Sequence, residues 1–183
     1  MIVQAHVRHR QTNILEPFYI LLDSGAQISF ISGDAVQRLD LEVTHHRPLT
    51  VIGFGNHRTA IVSGLVDVGL LDSSNRSLTT RLNTRDIIAS SRHALQLYSD
   101  DLAALHAARI DPDSLHVPQF VQPDILLGMN YYWQVMIDQP PIVLPSGLVL
   151  AHTRFALVLS GLSFFVNNVL SVDYLLTEES VTA

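Results

Sequence analysis

Short apolar runs separated by turn residues fill the first part of the chain, residues 1–82. Runs of this length, rich in valine, isoleucine, threonine and phenylalanine, are typical of strands in an all-β domain. Between two of them, the stretch SGDAVQRLDL offers Ser32 or Asp34 as an N-cap and predicts a short helix or turn. The predicted strands cover residues 2–7, 18–22, 27–31, 49–52 and 60–71.

The pattern changes at Ser90, where apolar residues begin to recur every three or four positions. That spacing is the period of an amphipathic helix. The following stretch, IDPDSLHVPQFVQP, contains three prolines and indicates a loop. We therefore predict a helical insertion in the β domain over residues 90–123. The apolar positions of its helix are Leu95, Tyr98, Leu102, Leu105 and Ala108.

Beyond the insertion the chain returns to strand and turn patterns. The stretch IVLPSGLVLAHTRFALVLSG predicts a hairpin with its turn at Pro145, Ser146 and Gly147. A chain of 183 residues suits one domain better than two. We assign residues 1–166 to that domain and residues 167–183 to a C-terminal tail.

Composition and charge argue against several classes of function. The formal net charge is -6, and all eleven basic residues are thinly spread arginines, which argues against binding to nucleic acid. The absence of cysteine excludes a disulfide scaffold, a thiolate nucleophile and a zinc-thiolate site. The nine histidines form no His-Glu-x-x-His frame, so we expect no metal and no other cofactor.

Membrane insertion and secretion are not expected either. The N-terminal stretch MIVQAHVRHRQTN lacks the apolar core of a signal peptide, which favours an intracellular protein. The most apolar late segment, residues 155–172, is interrupted by serine, glycine and asparagine, so it indicates core strands rather than a membrane span. Only 15% of the residues are charged, and an oligomer interface would cover part of the apolar surplus.

The stretch YILLDSGAQISFIS carries the candidate chemistry. Asp23 directly follows an apolar strand, where a carboxylate is costly unless it is paired, hydrogen-bonded or used. Gly25 permits a tight turn, and the small residues Ser24 and Ala26 leave space above the carboxylate for a water or a substrate. Taken alone, Asp-Ser-Gly is more often an ordinary turn. Two further motifs change that interpretation.

Three motifs in a fixed order resemble those of retropepsin-type aspartic proteases. The frame ILLDSGAQISFIS is similar to the active-site strand and turn of that family. The later DILLGMN looks like its second element, in which Leu126, Leu127 and Gly128 open a late helix. Between them, LTVIGFGNHRTA lies where retropepsins place a glycine-rich flap. The implied flap and substrate-binding residues are Ile52, Gly53, Phe54 and Gly55.

A closer resemblance is to the protease region of BEL/Pao-type retrotransposon polyproteins. The stretches PDILLGMNYYW and LVLAHTRFALVLSG are similar to matching stretches there, and this chain departs at Asn130, Ala156 and Leu157. The resemblance implies structural support of the active-site loop by Leu127, Gly128 and Asn130. It also implies processing of a polyprotein substrate, in the cytoplasm or within retroelement particles.

In this family the site needs two carboxylates, yet the chain has one Asp-Ser-Gly frame. Asp67-Val68-Gly69 lacks the hydroxyl residue and sits inside an apparent strand. The resemblance therefore implies a homodimer, in which two copies of Asp23 share one proton and activate a water between them. It assigns support of the loop across the dimer axis to Ser24 and the floor of the cleft to Gly25 and Ala26.

A second function stays open beside the enzyme. A retropepsin-like module can lose catalysis and still dimerise or hold peptides, because fold does not determine function. The intact Asp23 frame favours the enzyme, since a binding module has no chemical need for a desolvated carboxylate.

Overall fold

Strands dominate the computed structural model, which describes residues 1–89, 92–93, 95–115, 120–161 and 163. The predicted all-β, retropepsin-like fold is confirmed. The predicted tail, residues 167–183, lies outside the described residues.

The strands are β1 (Ile2–Arg8), β2 (Leu15–Leu22), β3 (Phe30–Ser32), β4 (Thr44–Ile52), β5 (Arg58–Leu71), β6 (Ser77–Arg85), β7 (Arg92–His93), β8 (Phe120–Val121), β9 (Ile125–Leu127), β10 (Ile142–Val143), β11 (Val149–His152) and β12 (Leu157–Ser160). The α-helices are α1 (Gly33–Arg38), α2 (Ser99–Ala107) and α3 (Met129–Val135).

Seven strands form one mixed sheet in the order β1-β2-β9-β3-β6-β5-β4. β9 pairs parallel with β2 and antiparallel with β3, so it lies between the two segments that flank Asp23. β1 also pairs with the end of β5, where His6 lies opposite Leu71, and this closes six strands into a ring. Burial of Phe18, Ile20 and Leu22 on β2 makes this strand part of the main core.

The predicted short helix, α1, is capped by Ser32. Its side-chain oxygen accepts a hydrogen bond from the Ala35 N–H at 3.1 Å, which satisfies one of the free amides of the first turn of α1. Ala35 and Val36 on this helix pack into the main core. The N-cap signal in the sequence is therefore confirmed at Ser32.

The insertion is less helical than its apolar spacing predicts. The helix α2 begins only at Ser99, and the short strands β7 and β8 pair with each other on either side of it. The Asp101 carboxylate explains the late start, because it accepts the Tyr98 N–H at 3.0 Å and caps the helix there. Of the five apolar positions that predicted the helix, only Leu105 is fully buried.

The helix α2 packs against the segment that carries the last three strands. Leu105 of α2 forms a separate apolar cluster with Leu144, Leu148 and Leu150 of the β10–β11 hairpin. The fully buried Asp101 also accepts the Ser146 N–H at 2.9 Å, which ties the helix to the turn of that hairpin. The turn lies where it is predicted, and Gly147 adopts a left-handed φ of 89°.

A second buried carboxylate, Asp72, holds the β5–β6 turn to the segment before β12. Its side chain is fully buried and contacts Arg154 Nη2 at 3.2 Å and Arg76 Nε at 3.1 Å. Burial alone would raise the pKa of Asp72. Hydrogen bonds from the Arg76 and Ser74 amides and from Arg154 outweigh burial and hold that pKa below its usual value.

Replacing Asp72 by asparagine should therefore destabilise the fold in a pH-dependent way. At pH 7 we expect a loss of about 2–3 kcal/mol, because the largely buried Arg154 loses its anionic partner. A carboxyl whose pKa is lower in the folded than in the unfolded state stabilises the fold at pH values above its unfolded pKa of about 3.9. This stabilisation is lost as the pH falls through the pKa of the folded state. The difference in unfolding free energy between wild type and Asp72→Asn, measured with urea, should thus be constant from about pH 5 to 7 and shrink below about pH 4.

The exposed pair of Asp67 and Arg81 provides the control for this prediction. Asp67→Asn removes an ion pair whose side chains are both more than half exposed, so it should change stability far less than Asp72→Asn. An equal loss in the two variants, or a loss for Asp72→Asn that does not shrink in acid, would contradict the account.

Candidate active site

Asp23 lies at the exit of a buried strand and is itself partly buried. The residues before it, Leu21 and Leu22 of β2, are almost completely buried between β1 and β9. The Asp23 N–H donates to the Leu127 carbonyl at 3.0 Å, which extends the pairing of β2 with β9 by one residue. The rigid sheet thus fixes the backbone of Asp23, while its side chain reaches the surface.

The turn after Asp23 leaves most of its carboxylate available. Oδ1 accepts the Gly25 N–H at 2.8 Å, the local hydrogen bond of an Asx turn. The Asp23 carbonyl accepts the Ala26 N–H at 3.3 Å, which closes the turn. Within the described part of the chain, no residue donates a hydrogen bond to Oδ2. Ser24 and Gly25 are exposed at the tip of this turn, beside the carboxylate.

The second predicted element lies directly behind this loop. Gly128 is buried and connects β9 to α3, and the Met129 N–H donates to the Ala26 carbonyl at 2.8 Å. A Cβ at Gly128 would lie 2.6 Å from the Ala26 oxygen and 2.8 Å from the Ile28 oxygen, closer than any side chain tolerates. Only glycine therefore permits the close approach of these two backbones.

Ser29 belongs to the same assembly, and the sequence patterns did not single it out. Its hydroxyl accepts the Gly128 N–H at 2.9 Å and lies 2.7 Å from Asn130 Oδ1, to which it donates. Its carbonyl accepts the Asn83 N–H at 3.1 Å. Because the Ala26 carbonyl and the Ser29 hydroxyl bind the backbone of Met129 and Gly128, residues 26–29 belong to the loop. β3 therefore begins only at Phe30, whereas a strand was predicted at residues 27–31. A polar residue inside the apolar run Ile28–Ile31 was the available signal.

The predicted flap is a hairpin of β4 and β5. The Gly53 N–H donates to the His57 carbonyl at 2.8 Å, and a 3-10 turn, Phe54–Asn56, forms the tip. Gly55 has a left-handed φ of 69° within that turn. The tip therefore has the glycine-dependent geometry that its sequence indicates.

One face of this hairpin packs on the cluster that contains the active-site loop. Val51 and Ile61 contact the apolar cluster against which Ala26 and Ile28 of the loop also pack. Ile52 lies on the opposite face of β4 and is 57% exposed, so the structure does not bring it together with the loop. On β4, the residue on the side of the active-site loop is therefore Val51, next to the predicted Ile52.

The other Asp-x-Gly sequence has a different environment from that of Asp23. Asp67 is exposed within β5, and Arg81 Nε and Nη2 bind its two oxygens at 2.7 and 2.9 Å. This hydrogen bonding from Arg81 lowers the pKa of Asp67. Asp67 therefore belongs to an ordinary surface ion pair with Arg81.

Neither a metal cluster nor a membrane helix is found among the described residues. There, no three side chains of histidine, aspartate or glutamate are grouped so that they could hold a metal ion. No helix in the described ranges has the length and apolar character needed to cross a membrane.

Comparison with known proteins provides the family. A search of curated proteins finds no significant match. A family model with the description "Putative peptidase (DUF1758)" matches residues 6–163, which include the Asp23 loop, the flap hairpin and the Gly128 junction. Because the match covers most of the chain, this protein belongs to the family with that description.

Proposed function

We propose that this protein is a homodimeric aspartic endopeptidase of the retropepsin type. One observation carries the proposal: the sheet fixes the backbone of Asp23, and the carboxylate reaches the surface with Gly25 as its one hydrogen-bond donor in the described chain. A surface carboxylate held this rigidly, and not consumed by an ion pair like that of Asp67, suits a catalytic role. Family membership supports peptide hydrolysis as the reaction.

The dimer follows from the single catalytic frame. Hydrolysis by this route needs two carboxylates beside one water, and a two-fold axis next to Asp23 would supply the second from another copy. The exposed turn of Ser24 and Gly25 is the part of the chain that such an axis would meet first. Ser24 would then support the partner's loop, and Gly25 would line the floor of the shared cleft with Ala26.

The proposed mechanism uses one proton shared by the two carboxylates. The ionised Asp23 accepts a proton from the water while the water oxygen forms a bond to the scissile carbonyl carbon. The protonated Asp23 of the other copy donates a hydrogen bond to the carbonyl oxygen and stabilises the charge that develops there. The Asp23 that took up the water proton then gives a proton to the amide nitrogen, the carbonyl re-forms as the carbon–nitrogen bond breaks, and an acid and an amine are released.

The flap hairpin would hold the substrate over this pair. An extended peptide can lie between the hairpin and the loop and form backbone hydrogen bonds with both. Gly53 and Gly55 would allow the tip to open and close, which excludes water from the reaction. The resemblance to BEL/Pao proteases supports a retroelement polyprotein as the substrate, with residues 1–166 as the protease domain.

Peptide cleavage tests the proposal directly. The purified chain is incubated with a mixture of diverse peptides from acidic to neutral pH, and the products are identified by mass spectrometry. We expect internal cleavage at a consistent sequence context. A folded dimer that cleaves no peptide at any pH would instead favour the inactive peptide-binding or dimerisation module.

A further inference from the structure

The loop from Asp23 to Ser29 is held at three points against the junction of β9 and α3. At one end the Asp23 N–H donates to Leu127, and in the middle the Ala26 carbonyl accepts the Met129 N–H. At the other end the Ser29 hydroxyl accepts the Gly128 N–H at 2.9 Å. The first two contacts join backbone atoms only. The third depends on one side chain.

Ser29 is well placed to fix this end of the loop. The residue is 0% exposed, and its hydroxyl both accepts from Gly128 and donates to Asn130 Oδ1 at 2.7 Å. The buried Asn83 donates to the Ser29 carbonyl through its backbone at 3.1 Å and through its side chain at 3.3 Å. Ser29 therefore connects β6, the catalytic loop and the start of α3 through its hydroxyl and its carbonyl.

We infer that Ser29 is a positioning residue that sets the placement of Asp23, an inference that rests on the proposed function. Without its hydroxyl, the buried Gly128 N–H has no acceptor, which is a costly arrangement that the loop can relieve by moving. Because the two Asp23 carboxylates must meet about one water, a small displacement of the loop acts on the chemical step. Ser29 touches neither the substrate nor the water in this account.

The kinetic test is the variant Ser29→Ala. We expect kcat to fall by roughly 10–100-fold, the effect of a displacement of about 1 Å, while KM changes much less. Retention of the hydroxyl in Ser29→Thr should restore most of the lost kcat. A kcat for Ser29→Ala equal to that of the wild type overturns the inference.

Ser63→Ala is the matched control. Ser63 is also a fully buried serine, but its hydroxyl donates to the Thr84 carbonyl of β6 at 2.9 Å and not to the Asp23 loop. Both alanine variants lose the hydrogen bonding of a buried hydroxyl, so both should lower the urea midpoint of unfolding. Only Ser29→Ala should lower kcat, and an equal loss of kcat in Ser63→Ala would mean that general destabilisation is the cause.

Amide hydrogen exchange tests the positioning without any need for activity. In Ser29→Ala the amides of Asp23, Gly128 and Met129 should exchange roughly tenfold faster or more than in the wild type, whereas Ser63→Ala should leave them unchanged. Unchanged exchange in Ser29→Ala overturns the inference. If the wild type cleaves no peptide, the proposed function fails, and the exchange rates still decide whether Ser29 holds the loop.

Discussion

Asp23→Asn should reduce kcat/KM for peptide cleavage by at least about a thousandfold, because it removes the group that accepts and donates the proton. The loop itself should survive the change. The asparagine Oδ1 can still accept the Gly25 N–H, and the backbone hydrogen bond to Leu127 does not involve the side chain. We therefore expect the variant to keep the dimer and the unfolding free energy of the wild type. Cleavage assays, analytical ultracentrifugation and urea unfolding on the same samples measure all three.

Asp67→Asn is the natural control for this variant. It changes the aspartate of the only other Asp-x-Gly sequence, which forms a surface ion pair with Arg81. We expect its kcat/KM to equal that of the wild type. Full activity of Asp23→Asn, or an equal loss in both variants, would contradict the assignment of Asp23 as the catalytic residue.

Gly128→Ala should be the most damaging change outside the carboxylate itself. The backbone of Gly128, with φ -88° and ψ -169°, is allowed for any residue, so conformational strain is not the reason. The reason is space: the new methyl would lie 2.6 and 2.8 Å from two backbone oxygens of the active-site loop, which no rotamer change can relieve. We expect the unfolding free energy to fall by more than about 3 kcal/mol and cleavage to be lost.

Gly53→Ala separates this steric effect from glycine's flexibility. Gly53 has nearly the same backbone conformation, with φ -92° and ψ -173°, but a Cβ there would meet nothing closer than 3.9 Å. Urea unfolding of the two variants should show a large loss for Gly128→Ala and almost none for Gly53→Ala. Similar losses would mean that the close approach behind the loop is not what Gly128 permits.

Local patterns in the sequence predicted the elements that depend on neighbouring residues. The apolar run before Asp23, the N-cap at Ser32 and the Pro-Ser-Gly turn all lie where they were expected. The strand β6 was missed because it has no apolar run. Its buried residues Leu78, Thr80 and Leu82 alternate with exposed polar ones, but Thr80 is itself polar, so the sequence does not show the apolar alternation of a half-buried strand.

Contacts between distant parts of the chain explain the remaining differences. The start of α2 is fixed by Asp101, whose other partner, Ser146, lies 45 positions away. The role of Ser29 depends on Gly128, which lies 99 positions away. Periodicity within a segment carries no information about such partners, so the predicted helix was too long and the support of the catalytic loop was incomplete.

Subunit mixing is the measurement that tests the shared active site most directly. Wild-type and Asp23→Asn chains are combined in equal amounts, dissociated, reassociated at random and assayed at constant total protein. If each site needs Asp23 from both copies, only wild-type homodimers are active, and the activity should be about a quarter of that of wild type alone. An activity of about one half would mean that each chain acts with its own Asp23, and would contradict the dimeric mechanism.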